Sequence, residues 1–341
     1  MTLREPPKIY KKALNIETHK IGSDERKVAR PITFTPFASK EPCTARCQFC
    51  SEALIYKHAT QLSASLRPGL DYFKQLSQAF SFVGKIAKGL SLSGLEASSN
   101  EDWLLGVLDV ATDAEHRFGR FEDRVIYSNA TGFSRKRALE LLKALQKFDL
   151  TRAEISRHSP FETRNQAIMR FRDGIAVKEN AVFESSVRLA MNYIPVKMVC
   201  VIQEGGVADE ADLNQYLAWV QNLGVREVVF RELSKIHDLY KTNSTSKYVE
   251  RTRVPIERIL AHALQNESAF EYLERVDGYY YQNHRFLWKN EIEVVFETSD
   301  YEIMKRLHAS DTIYKFVFHA NGNLTADWDP GHQILLAGNA S

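Results

Sequence analysis

The sequence predicts an α/β fold organised on a parallel sheet, and three observations carry that prediction. Six short runs rich in Val, Ile, Phe, Leu or Tyr read as strands: Pro31–Ala38, Gly89–Glu96, Arg124–Asn129, Arg152–His158, Pro195–Gln203 and Glu227–Leu233. Segments with helical periodicity separate them. The alternation is sequential, which favours parallel pairing through right-handed crossovers. A doubly wound sheet, a closed (β/α)8 barrel and an incomplete barrel all satisfy this pattern.

The helical segments follow in order. Tyr72–Lys88 places Phe73, Leu76, Phe80, Val83 and Ile86 near a 3.6-residue period. Asn100–Phe118 opens on Ser99-Asn100-Glu101-Asp102, a capping signal with acids in the first turn. Ser134–Leu150 is expected to start on a Ser N-cap and to bury Ala138, Leu141, Leu142 and Leu145. Glu162–Asn192 is long enough for two helices broken at Asp173-Gly174, and Asp209–Leu223 stops at Gly224. Beyond Lys235 the pattern changes. Tyr240–Thr252 reads as polar and turn-like and Val254–Glu274 as helix. Tyr279–Trp288, Glu291–Glu297 and Tyr314–Trp328 read as antiparallel strands, the last with an Asn321-Gly322 hairpin signal.

Composition restricts the function class. Lys and Arg total 45 against 43 Asp and Glu, a net charge of +2 that gives no reason to expect nucleic acid or an acidic membrane as partner. Met1–Lys20 is polar and has no apolar core of a secretory signal, and no run of about 18 apolar residues occurs, so a cytoplasmic protein is expected. Of four cysteines, three lie within eight residues and the fourth, Cys200, in an apolar run. Disulfide frameworks spread their cysteines in pairs; a tight trio reads as a metal site in a reducing compartment.

The trio is Pro42-Cys43-Thr44-Ala45-Arg46-Cys47-Gln48-Phe49-Cys50, a C-x3-C-x2-C spacing with an aromatic before the last cysteine. Three thiolates on one short loop can hold three irons of a [4Fe–4S] cubane and leave the fourth iron open. A zinc site would want a fourth Cys or His at regular spacing, and His58 is the only nearby candidate. On these residues the chain resembles the radical S-adenosylmethionine (SAM) superfamily over about residues 31–235, most closely the branch of the molybdopterin-precursor cyclase and many natural-product-modifying enzymes. The resemblance implies a partial (β/α)6 TIM-like barrel, and so selects the incomplete barrel. The expected division is an N-terminal extension over 1–29, the barrel over 30–238, and a C-terminal α+β appendage over 239–341 that covers the active site.

The same resemblance implies SAM as second cofactor and assigns candidate contacts. Ser93-Gly94-Leu95-Glu96-Ala97 ends the second strand where the family has Gly-Gly-Glu-Pro. Gly94 would let backbone approach the methionine part of SAM and Glu96 would pair with its ammonium, although Leu95 and Ala97 depart from the pattern. Ser128-Asn129-Ala130-Thr131-Gly132 is similar to the family's Thr-Asn-Gly turn, which reaches the ribose and carboxylate of SAM. On the fourth strand, alternation puts Glu154, Ser156 and His158 on one face. Ser156 is similar in position to family SAM contacts, and His158 is a substrate candidate. Phe49, beside the last cysteine, is a further cofactor contact. At the end of the sixth strand Arg231 and Glu232 are both substrate candidates, of which alternation sends only one inward. Glu204-Gly205-Gly206-Val207 suggests a tight turn near the adenine, and Tyr279-Tyr280-Tyr281 with His284, Arg285 and Trp288 suggests a substrate lid or a hairpin's packing face.

The resemblance implies reductive cleavage of SAM to a 5′-deoxyadenosyl radical and hydrogen abstraction from substrate, with a flavodoxin- or ferredoxin-type electron donor. With only Cys200 outside the motif, no second all-cysteine cluster is possible, which favours redox-neutral chemistry: isomerisation, elimination, cyclisation or epimerisation. The expected substrate is a small specialised metabolite (sugar, nucleoside or amino acid), the alternative a ribosomal peptide. Cys200 is expected either to return a hydrogen atom to substrate or to pack as a small apolar residue against the helices.

Overall fold

In the computed structural model, which describes residues 10–12, 14–57, 63–236 and 238–338, a short strand β1 (Tyr10–Lys12) precedes a hairpin of β2 (Asn15–Ile21) and β3 (Asp24–Arg30). The expected alternation then begins: β4 (Ile32–Pro36), α1 (Tyr72–Val83), β5 (Ala87–Leu92), α2 (Glu101–Phe118), β6 (Asp123–Ser128), α3 (Ala138–Lys147), β7 (Arg152–Ser156), α4 (Glu162–Met169), α5 (Asn180–Met191), β8 (Val196–Ile202), α6 (Glu210–Leu223) and β9 (Glu227–Glu232). Strands β4 to β9 lie side by side in sequence order and pair parallel throughout, for example Leu92 with Ile126 and Ser156 with Val199. The barrel is open.

Local chemistry sets the boundaries. Asn100 caps α2 by accepting the Trp103 N–H at 3.0 Å, and Asp209 caps α6 by accepting the Asp212 N–H at 2.9 Å. Gly224 closes α6 at φ +89°, a conformation favouring glycine. The expected start of α3 at Ser134 is not observed. Thr131–Ser134 forms a 3-10 turn and the helix begins at Ala138. The Gly132 N–H is bound to Ser98 Oγ at 2.9 Å, which holds the preceding segment in the loop layer rather than on the helix axis.

One face of each strand joins the apolar core under the helices: Phe34, Leu90, Leu92, Ile126, Ile155, Met198, Cys200, Ile202 and Phe230. At about 25 cal/mol per Å² of apolar area this layer is the main stabilising contribution. The lumenal face alternates with it and carries Ser91, Tyr127, Arg152, Glu154, Lys197 and Arg231 beside an apolar patch of Val199, Val229 and Val295.

The C-terminal segment differs most from expectation. Its elements are α7 (Ser244–Thr252), α8 (Ile256–Gln265), β10 (Phe270–Asp277), β11 (Gln282–Trp288), β12 (Ile292–Glu297), α9 (Tyr301–His308), β13 (Thr312–Ile313), β14 (Phe316–Phe318), β15 (Leu324–Thr325) and β16 (Ile334–Leu336). The expected turn at Tyr240–Thr252 contains α7. That helix is nucleated by a reciprocal capping box between Asn243 and Ser246 rather than by an apolar stripe. The expected helix Val254–Glu274 ends at Gln265, because its second half is strand β10. Strands β10, β11 and β12 are antiparallel to one another, but β12 pairs parallel with β9 (Val295 with Val229) and β14 parallel with β4 (Phe316 with Phe34). The segment therefore adds one parallel strand to each edge of the six, giving the order β14-β4-β5-β6-β7-β8-β9-β12. The expected Asn321-Gly322 hairpin joins β14 and β15. At the N-terminal end, β13, β3 and β2 form a separate three-stranded sheet. Among the described residues no helix is long and apolar enough to cross a membrane.

Candidate functional site

The cysteine loop follows β4 at the C-terminal mouth of the barrel, where the strand ends and helix starts of this architecture converge. It is clamped along its length to the end of α4: Arg46 N–H donates to Met169 O at 3.0 Å, Gln48 N–H to Ile168 O at 3.1 Å, and Arg172 N–H to Thr44 O at 3.0 Å. The three thiols are close enough for charge on one to disfavour charge on another. Burial pushes the Cys43 thiol up to about 12, with Glu96 adding to it, and Cys50 up to about 11, with Glu52 adding; Cys47 is raised further by burial and by both other cysteines. Among the described residues no three His, Cys, Asp or Glu side chains converge on a single-ion site. A cubane spreads its thiolates over separate irons, so three cysteines on one short loop are a sufficient donor set for it. The donor set thus fits an iron–sulfur cluster. His58 lies outside the described residues.

Glu96, Ser128 and Asn129 come together, but around each other. The Glu96 carboxylate, 2 % exposed, accepts four hydrogen bonds: from Ser98 N–H (3.1 Å), Ser98 Oγ (2.6 Å), Ser128 Oγ (2.8 Å) and Asn129 N–H (2.6 Å). Burial raises its pKa above the ordinary carboxylate value, and these donors only partly oppose the rise. Asn129 Nδ2 donates to Thr44 Oγ1 at 3.0 Å, and its Oδ1 accepts from the Thr131 N–H at 3.1 Å. One clasp therefore joins the ends of β5 and β6 to the cysteine loop. Oε1 of Glu96, expected to meet a ligand ammonium, is taken up by three of these donors, and Oε2 accepts only the Asn129 N–H. Leu95 at φ 56° and Ala130 at φ 69° sit in left-handed backbone, a conformation that favours glycine. Ser93 and Gly94 do face open space. The Ser156 hydroxyl, half-buried at the end of β7, has no hydrogen-bond partner among the described residues.

His158 is 1 % exposed. Its Nδ1 accepts the Val201 N–H at 3.0 Å, and its ring meets Phe49 edge-on at 4.8 Å. Burial, with Arg157 and Arg231 adding, lowers its pKa to about 3, so it is neutral. It braces the cysteine loop against β8 and does not line the cavity, which corrects its reading as a substrate contact. Cys200 is corrected as well. Alternation turns it into the core under the helices, near Tyr216 of α6, while Val199 and Val201 occupy the other face. Its thiol has no access to the lumen. Of the pair on β9, Arg231 points inward and Glu232 outward, where Arg253 binds it together with the Ser299 N–H at 3.4 Å; Glu232 is thus excluded as a substrate contact. The expected tight turn is present, with Gly205 at φ +82° and Gly206 N–H bound to Gln203 O at 3.1 Å.

The mouth opens into a cavity of about 530 Å³ bounded by the lumenal side of the barrel strands, the Ser51–Tyr56 segment and the C-terminal segment. A charge layer forms its floor. Arg152 donates to Glu154 at 2.9 Å, Arg231 lies 3.7 Å from Glu154, and Arg231 is also paired with Glu297. Burial works against the Arg231 charge, but Glu297 and Glu154 outweigh it and hold the group protonated. Tyr280 and Tyr281 line the cavity, whereas Tyr279 stacks on His308 and Tyr314, and Trp288 belongs to the core. Arg285 is committed to Glu293 and Glu274. The suggested lid is therefore reduced to two tyrosines. Sequence reading missed Glu52, Tyr127, Tyr301 and Lys315, which also face the cavity. Tyr127 could have been found from alternation on its own strand; Lys315 could not, because nothing local signals that β14 joins the barrel edge.

No family model matches the chain, and no curated protein sequence matches it. Among solved structures, SuiB from Streptococcus suis aligns with a TM-score of 0.52 at 12% identity, covering 88% of this chain and 61% of that one. The same protein bound to S-adenosylmethionine gives a TM-score of 0.47 at 12% identity over the same shares, and HydG, a maturase of the [FeFe]-hydrogenase, 0.48 at 13% identity over 69% of this chain and 49% of that one. The chain spans less than two thirds of SuiB. At this identity the likeness to SuiB establishes the fold: a mixed α/β chain on a partly closed parallel barrel, as the sequence predicts.

Proposed function

We propose that the chain is a radical SAM enzyme acting on a small-molecule substrate held in the 530 Å³ cavity. The observation that carries this reading is the placement of three cysteines on one clamped loop at the barrel mouth, directly beside that cavity. Cys43, Cys47 and Cys50 would hold a [4Fe–4S] cluster. Ser93, Gly94 and Ser156 would meet SAM directly, and Phe49 would flank it from the cysteine loop. Glu96, Ser128 and Asn129 would set the shape of its site from behind. Cluster and SAM would supply radical chemistry for hydrogen-atom abstraction from substrate, with the electron from a flavodoxin- or ferredoxin-type donor.

The chain's own residues orient and shield. The Arg152–Glu154–Arg231–Glu297 layer closes the bottom of the lumen and presents polar groups to substrate, while the tyrosines of the Ser51–Tyr56 and C-terminal segments screen the top from water. Cys200 is the chain's one cysteine outside the motif and faces the helices, so neither a second all-cysteine cluster nor a thiol hydrogen donor is supplied. Redox-neutral rearrangement or elimination fits this inventory best. The test is anaerobic reconstitution: about four irons per chain are expected, all lost in the Cys43/Cys47/Cys50→Ala triple variant. Full iron uptake by the triple variant would refute the ligand assignment.

A further inference from the structure

Among the described residues, eight charged side chains line the cavity: Glu52, Arg152, Glu154, Lys197, Arg231, Glu297, Lys315 and Asp329. Five have ion-pair partners, and the sixth, Asp329, has only a neutral backbone donor. Arg152, Glu154, Arg231 and Glu297 pair among themselves, Lys197 lies 2.6 Å from Glu227, and Asp329 Oδ1 accepts the Gly331 N–H at 2.9 Å. Glu52 and Lys315 differ. Neither side chain has a hydrogen bond or an ion pair with any described residue. The Lys315 ammonium sits 3.4 Å over the centre of the Trp328 ring, and Glu52 stands on the 3-10 turn Ser51–Ala53 just after the last cysteine. The two are near enough for each to favour the other's charge, yet no ion pair joins them, and burial outweighs that attraction, raising the Glu52 carboxyl and lowering the Lys315 ammonium to about 7. Asp327 also lies near Lys315, but its carboxylate is already held by Lys305 at 3.0 Å and by His308 and His332.

Both side chains are half-buried. A charge partly removed from water without a charged partner is costly, and two of opposite sign on one cavity that do not pair leave room for a molecule between them. We propose that Glu52 and Lys315 form a headgroup subsite for a free α-amino acid, Lys315 taking the carboxylate and Glu52 the ammonium. An α-amino acid carries both groups on one carbon, so it satisfies both residues with one small ligand. A peptide, whose termini lie at opposite ends, does not. Trp328, Tyr56, Tyr240 and Tyr301 surround the subsite with aromatic surface for the remainder of the molecule. The inference rests on the reading of this cavity as the substrate site, and names the substrate class.

The test is calorimetric titration of the reconstituted protein, with SAM present, using the twenty proteinogenic L-α-amino acids, followed by the α-amide and the Nα-acetyl derivative of each that binds. At least one free amino acid is expected to bind, with either derivative at least tenfold weaker. Lys315→Met is expected to abolish the preference for acid over amide, and Glu52→Gln the preference for free amine over Nα-acetyl, both with unchanged iron content and SAM affinity. Binding of none of the twenty, equal binding of the derivatives, or variants that keep the wild-type preferences would overturn the proposal. So would a tenfold loss of SAM affinity in Lys315→Met, which would assign the pair to the amino-acid part of SAM itself. If the wild-type chain takes up no iron, the cofactor reading fails, and the same titrations on the apoprotein still decide the subsite.

Discussion

Replacing Glu96 tests whether it is a clasp or a ligand contact. In Glu96→Ala the four hydrogen bonds to its carboxylate disappear, and the N–H groups of Ser98 and Asn129 lose their acceptor in a region where the native side chain is 2 % exposed. A stranded buried donor costs about 1–3 kcal/mol, so two give about 2–6 kcal/mol, with water entering the vacated space favouring the lower half. Glu96→Gln keeps the volume and one acceptor oxygen but turns an NH2 group towards one set of donors, so a smaller loss, about 1–3 kcal/mol, is expected. The assay is denaturant unfolding of the apoprotein, read beside SAM affinity of the reconstituted protein. The clasp predicts that stability and SAM affinity fall together, alanine worse than glutamine. A direct ion pair to SAM would instead weaken SAM binding and leave apoprotein stability alone, and that result would refute the clasp. Burial also raises the Glu96 carboxyl above its ordinary value. Its contribution to stability is therefore present at acid pH and is lost as pH rises through the folded-state pKa, a dependence that Glu96→Gln removes.

Further outcomes follow from the same geometry. Ala130 is fully buried at φ 69°, so Ala130→Gly relieves a left-handed alanine and is expected to raise stability by about 1 kcal/mol in thermal unfolding; a lower melting point would show that the methyl packing matters more. Arg231→Met leaves Glu154 and Glu297 facing each other's charge across the lumen without their shared cation and is expected to cost about 3 kcal/mol or more, largely recovered when Glu297 is also made Gln. Cys200→Ala is expected to retain its iron and wild-type product formation; loss of product with SAM consumption intact would restore the thiol as a hydrogen donor.

The repeating part of the fold was legible because its signals are local. Each barrel strand is a short run and most of the helices carry a stripe or a cap within their own length, as at Asn100 and Asp209, although α4 has neither. The cysteine spacing was legible for the same reason. What escaped depends on partners far apart in the chain. Nothing near Lys315 says that β14 docks beside β4, and nothing near Val295 says that β12 runs parallel to Val229. Helix α7 escaped because caps hold it where an apolar stripe is weak. Among the site residues, strand alternation placed Glu154 in the lumen but could not choose between Arg231 and Glu232, nor between the two sides for Cys200, because both faces of a barrel strand are covered. Glu96, Ser128 and Asn129 were correctly grouped at the mouth, yet their roles turned on hydrogen-bond accounting that only the assembled loops reveal.

The central claim is tested most directly by measuring 5′-deoxyadenosine after incubating the reconstituted, reduced protein with SAM. The wild-type chain is expected to form it and the Cys43/Cys47/Cys50→Ala variant to form none. A wild-type protein that holds four irons and binds SAM yet yields no 5′-deoxyadenosine, with or without amino acids present, would contradict the account.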